Sequence, residues 1–140
     1  MEYFNNPVLQ KKILQIRFEY YKKTYDKLQE AATINMDNPL IVDATIHRFE
    51  CALESSCKLM KLFLDHNGIK NGDTIKDTVE SASDLGLLDT NEWYSMIADK
   101  NKILNTININ DINMVYDNIK TNYLFIFETF SNNIEQHINL

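Results

Sequence analysis

Four charged side chains at helical spacing carry the first chemical signal in this chain: Glu50, Glu54, Lys58 and Lys61. Steps of three and four set them along one ridge of a helix, two acids ahead of two bases, with Glu54 and Lys58 in the order that favours an i,i+4 ion pair. Two readings are open. One turn brings Glu50 and Glu54 close enough to perturb each other's ionisation, as acid–base chemistry requires; equally, such a row forms a solvated face. His47 and Cys51 share a face with Glu54, a mixed set that needs a fourth ligand from elsewhere before it holds a metal. No metal or other cofactor is expected. The histidines His47, His66 and His137 have no nucleophile arranged beside them, and neither a nucleophile elbow nor a phosphate-cradling glycine loop occurs. The residues alone supply no catalytic set. Cys51 and Cys57 lie about 120° apart around one helix and cannot pair within it; Cys57 is expected as a buried thiol and Cys51 as an incidental one.

The ridge belongs to the stretch from Ile41 to Asp65, where Val42, Ile46, Phe49, Leu53, Cys57, Met60 and Leu64 form an apolar stripe that must be buried. Sparse punctuation delimits the other elements. Asn6-Pro7 and Asn38-Pro39 each read as an Asn cap followed by Pro at the first helical position, where the missing amide hydrogen costs nothing. The helix opened at Pro7 carries Leu14, Phe18, Tyr21, Tyr25, Leu28 and Ala32 and ends near Thr33. The central helix stops before Asn67-Gly68, a left-handed turn signal, and Asn71-Gly72 repeats it. Asp73 is expected to cap a short helix with Ile75, Val79 and Ala82, closed by Gly86. Asp89 caps the next from Thr90, anchored by Trp93, Met96 and Ile97, with Glu92 at capping-box spacing. Asparagines make the stretch after Asn101 read as an irregular connection. A last long helix from about Asp111 stacks Ile112, Val115, Ile119, Tyr123, Ile126, Phe130 and Ile134. The result is an all-α, antiparallel up-and-down bundle of four to five helices, a single domain over residues 1–140.

A length of 140 residues suits one self-supporting core. No apolar run reaches the ~20 residues of a membrane span, so no membrane partner is expected. The opening MEYFNNPVLQ has no basic segment followed by an apolar one, which leaves a cytoplasmic address as the default. The net charge of −6, with Lys11-Lys12 and Lys22-Lys23 as isolated pairs, disfavours broad contact with RNA or DNA.

Three segments in register resemble one family. Arg48-Phe49-Glu50 followed by Glu54, Lys58 and Lys61 is similar to the central helix of the nucleotidyltransferase substrate-binding proteins, helical chains within the wider HEPN group. Leu85-Gly86-Leu87-Leu88, then Glu92-Trp93 and Met96, resembles that family's G-L-I and W-x-x-M elements. Asp99-Lys100-Asn101, then Asn105-Thr106-Ile107, lines up with its D-R-N and H-T-Y. The resemblance implies a homodimeric bundle that associates with a separately encoded minimal nucleotidyltransferase. In some relatives the pair is a toxin and antitoxin: the helical chain is a ribonuclease with an R-x4-6-H motif, silenced by modification of a Tyr two residues beyond the His.

This sequence departs at each of those positions. Lys100 stands in place of the Arg and lacks its bidentate fork. Asn105 stands in place of the His and cannot cycle a proton near neutral pH. Ile107 stands in place of the Tyr and has no hydroxyl to modify. The expectation is a non-catalytic subunit that binds substrate or nucleotide for a nucleotidyltransferase. The alternatives are a surviving ribonuclease using Lys100 and a purely structural bundle. Binding or interface candidates are Glu50, Glu54, Lys58, Lys61, Trp93, Lys100, Asn101 and Asn105.

Overall fold

A computed structural model describes residues 6–70 and 72–139, in which the chain folds as an all-α bundle. The first five residues of the opening stretch and Asn71 of the expected Asn71-Gly72 turn lie outside the described residues. Helix α1 spans Pro7–Ala32, α2 Pro39–His66, α3 Ile75–Asp84 and α4 Thr90–Leu104. Helix α5, Ile109–Asn118, runs through a wide π turn at Ile119–Tyr123 into α6, Leu124–Ile138. These last three segments form one rod.

Local chemistry sets the ends. Asn6 Oδ1 accepts from the amides of Val8 and Leu9 at 3.0 and 3.2 Å, and Asn38 Oδ1 from Leu40 at 2.9 Å. Each satisfies a donor that the first helical turn leaves open. Gly68, at φ +70°, closes α2 with the Ile69 amide on the Leu64 carbonyl and its own amide on that of Asp65. Gly86, at φ +78°, repeats the arrangement, Leu87 to Ala82 and Gly86 to Ser83. Both are Schellman closures, which need a residue free to take positive φ.

Two expectations are corrected. Thr74, not Asp73, caps α3, because its hydroxyl stands three residues ahead of Asp77 and accepts that amide at 3.1 Å. The asparagine-rich connection shrinks to residues 105–108. Asn105 ends α4 and Asn108 begins α5, accepting from Asn110 and Asp111 at 2.8 and 3.4 Å. Asparagine here serves as cap rather than coil former.

Cross-contacts fix the direction of each rod. Arg48 reaches the Lys27 carbonyl and Ser55 meets Thr24, so α2 runs antiparallel to α1. Tyr25 meets Glu128 and Tyr21 meets Ser131, so α6 also opposes α1. Trp93 packs on Phe130 while Asp99 meets Tyr123, which sets α4 against α5–α6. The order is up, down, up, down, with α3 as a short insertion before α4.

The core is one cluster fed by every helix. At its centre Phe127 is fully buried among the rings of Tyr21, Tyr25, Phe49 and Trp93, at centroid distances of 6.4, 6.1, 6.3 and 5.8 Å. The predicted α5–α6 stripe contains Ile126 and Phe130 and omits Phe127. Phe127, four residues after Tyr123 and three before Phe130, shares their face by ordinary helical spacing. The Leu124 amide bonds to the Ile119 carbonyl five residues back, which widens the turn and rotates α6 relative to a regular continuation of α5.

Candidate functional site

The charged ridge of α2 forms one wall of a cleft of about 460 Å3, opposite Lys100 and Asn101 of α4. Leu53, Cys57 and Ile97 supply apolar lining, and Asp73, Thr74 and Thr78 enter from the start of α3. Ile75, expected as a buried anchor of α3, is instead 44% exposed and lines the same cleft. The two neighbours that do anchor α3, Val79 and Ala82, are fully buried.

Glu54, Lys58, Lys61, Lys100 and Asn101 therefore converge, though Lys61 and Lys100 are far apart in sequence. Glu54 holds Lys58 at 3.1 Å in the orientation the spacing indicated. Both side chains are more than half exposed, so the bond contributes little to stability. Among the described residues no carboxylate lies within ion-pair distance of Lys61 or Lys100. Burial pushes the Cys57 thiol up to about 11, while the nearby Lys100 ammonium pulls it down. The cleft thus presents Lys61 and Lys100 without an ion-pair partner, alongside the carboxylates of Glu54 and Asp73, above an apolar floor with a protonated thiol. Such a lining can hold an anion that also carries an apolar or aromatic portion.

The remaining candidates lie elsewhere. Glu50 is half-buried on α2 and does not line the cleft, whereas Glu54 lines it and is engaged by Lys58. Trp93 is 1% exposed, with its ring edge-on to Phe127 and Phe130, a core position. Asn105 is exposed, and its Nδ2 donates to the Asn101 carbonyl at 2.9 Å, closing the end of α4. His47 contacts Cys51 at 3.7 Å, whereas Glu54 faces the cleft, so the three residues do not gather as one metal set. Among the described residues no group of three His, Cys, Asp or Glu is placed to hold a metal ion.

Asp99 shows what the residue pattern did not. It faces away from the cleft, where its carboxylate accepts from the Tyr123 hydroxyl and from Asn118 Nδ2, the latter at 3.0 Å. Burial, reinforced by that carboxylate, holds the Tyr123 phenol well above its ordinary range, so it stays a donor. Asp99 ties α4 to the π turn, and Lys100, one residue on, projects to the cleft. The third motif is thus split between a fastening residue and two cleft residues. The α3 contribution was also missed, since Gly72 to Thr74 carried only a turn-and-cap signal.

No described helix is long and apolar enough to cross a membrane. No curated protein matches the chain. The family described as "Nucleotidyltransferase substrate binding protein like" matches residues 16–136, a span that takes in all three motif segments, both walls of the cleft and the π turn. The chain belongs to the nucleotidyltransferase substrate-binding-protein-like family.

Proposed function

We propose that this chain is a non-catalytic binding subunit: it docks a separately encoded minimal nucleotidyltransferase and holds that enzyme's nucleotide or acceptor substrate in the α2–α4 cleft. The carrying observation is the convergence of Lys61 and Lys100, neither in an ion pair among the described residues, over the apolar floor of Leu53, Cys57 and Ile97. Phosphate oxygens suit the ammonium groups, and a base or acceptor body suits the floor.

The state of the R-x4-6-H positions supports a subunit without ribonuclease activity. Lys100 faces the cleft, but Asn105 is spent on closing α4 and Ile107 is 99% exposed. Leu104, Ile107 and Ile109 also leave apolar surface around the α4–α5 turn, which supports the homodimer that the family resemblance implies. Coexpression with a candidate minimal nucleotidyltransferase should yield a complex stable to gel filtration, and calorimetry should show ATP binding that weakens in Lys61→Ala and Lys100→Ala. Failure of the two chains to associate at micromolar concentration would overturn the docking role. Growth arrest with RNA cleavage abolished by Lys100→Ala would establish the ribonuclease reading instead.

A further inference from the structure

The half of α4 that carries Lys100 is not the half anchored in the core. The buried side chains of this helix, Trp93 and Met96, both precede Lys100, and beyond them Ile97 and Ile103 pack against the core while staying partly exposed. Polar ties hold this end. Lys102 Nζ lies 3.8 Å from Asp111, a pair exposed enough to contribute little. Asp99 is better placed: its carboxylate accepts part-buried, charge-assisted bonds from the Tyr123 hydroxyl and from Asn118 Nδ2, the latter at 3.0 Å. Tyr123 is itself fixed. It is 4% exposed, its ring stacks on Phe49 of α2 at 5.5 Å, and its hydroxyl also lies 3.3 Å from the Ser95 carbonyl.

The widened turn brings both donors to one carboxylate. Asn118 immediately precedes the π turn and Tyr123 is its last residue. Five residues apart on an α-helix, the two would point about 140° away from each other. Across a π turn, residues five apart succeed one another on one side, as residues four apart do in an α-helix. We infer that Asp99, Asn118 and Tyr123 form a latch that positions the C-terminal half of α4, and with it Lys100, against the ligand of the α2–α4 cleft, a role that rests on the binding function proposed for that cleft. None of the three latch side chains lines the cleft, so they act through Lys100 and not by touching the ligand. A wall ordered beforehand spares the ligand the cost of ordering it. Without the latch the ammonium of Lys100 keeps its charge but loses its fixed position.

Hydrogen–deuterium exchange on the whole chain tests the latch in the absence of ligand. Tyr123→Phe and Asp99→Ala should each speed amide exchange about tenfold in residues 100–104 and leave residues 90–96 unchanged. The swapped double variant, Asp99→Asn with Asn118→Asp, keeps a carboxamide–carboxylate hydrogen bond with donor and acceptor reversed and should restore slow exchange. Calorimetry reads the consequence: Tyr123→Phe should weaken ATP binding about three- to fivefold in the wild-type and Lys61→Ala chains. In the Lys100→Ala chain it should have no further effect, because the positioned group is gone. Unchanged exchange, exchange that rises throughout α4, no restoration by the swap, or an equal penalty in the Lys100→Ala chain would overturn the latch. If the wild-type chain binds no ATP, the cleft's binding role fails instead, and the latch stands or falls on the exchange pattern alone.

Discussion

Among the described residues no carboxylate lies within ion-pair distance of the cleft-lining Lys61 and Lys100, whereas Lys58 is held by Glu54 at 3.1 Å. Charge available to a ligand therefore differs along one wall. Titration calorimetry with ATP should show Lys61→Ala and Lys100→Ala each weakening binding about tenfold, on the order of 1.4 kcal/mol. Lys58→Ala should cost about twofold, since Glu54 already shares that charge, and Asn105→Ala no more than about twofold. In the core the decisive residue is Phe127, fully buried among rings from three other helices. Phe127→Ala should lower unfolding stability by about 3–5 kcal/mol in a denaturant titration, as the surrounding rings cannot collapse onto the void.

At the scale of elements, family-like motifs divide between holding the fold and forming the cleft. Arg48 fastens α2 to the Lys27 carbonyl of α1, and Phe49 stacks on Tyr123 at 5.5 Å, so R-F-E is mainly a clamp between rods. Gly86 supplies the positive φ that lets Leu87 turn back into the core. Gly86→Ala should cost about 1–2 kcal/mol, since a Cβ is strained there even though open space surrounds it. Gly68→Ala should behave alike, and Asn38→Ala should cost about 1 kcal/mol through a lost cap. Thermal denaturation followed by circular dichroism would rank the three. The π turn is the element with a structural consequence beyond its own length: it presents Tyr123 to Asp99.

For the molecule as a whole, the buried phenols make stability depend on alkaline pH. Tyr21 donates to the Phe127 carbonyl at 2.9 Å, and burial raises its pKa far above the ordinary 10.0. Burial raises Tyr25 and Tyr123 as well, each helped by a carboxylate acceptor, Glu128 and Asp99 respectively. The folded chain then binds more protons than the unfolded chain once free phenols begin to ionise. Stability is fully present below pH 10 and falls as pH rises above it, Tyr21 alone contributing a slope of up to about 1.4 kcal/mol per pH unit. Guanidinium unfolding at about pH 9 and about pH 11 should show that loss, and Tyr21→Phe should reduce the slope.

The helical rods were legible because periodicity and capping are local. An Asn followed by Pro, or a Gly after an apolar stripe, marks an end whatever packs around it, and burial of amphipathic stripes leaves a bundle as the common solution. The ion pair from Glu54 to Lys58 was legible for the same reason. The boundaries that moved, at Thr74 and at Asn105–Asn108, turned on which of several adjacent capping side chains met the open amides. What only the tertiary structure decided is the company each residue keeps. Spacing along one helix could not say that Glu54 would line the cleft and Glu50 would not, that Lys100 would face Lys61 while its neighbour Asp99 turned to the π turn, or that His47 and Cys51 would look onto the lysines of α1. Those juxtapositions depend on the crossing of separate rods and on one widened turn, and both are set by how buried rings pack together.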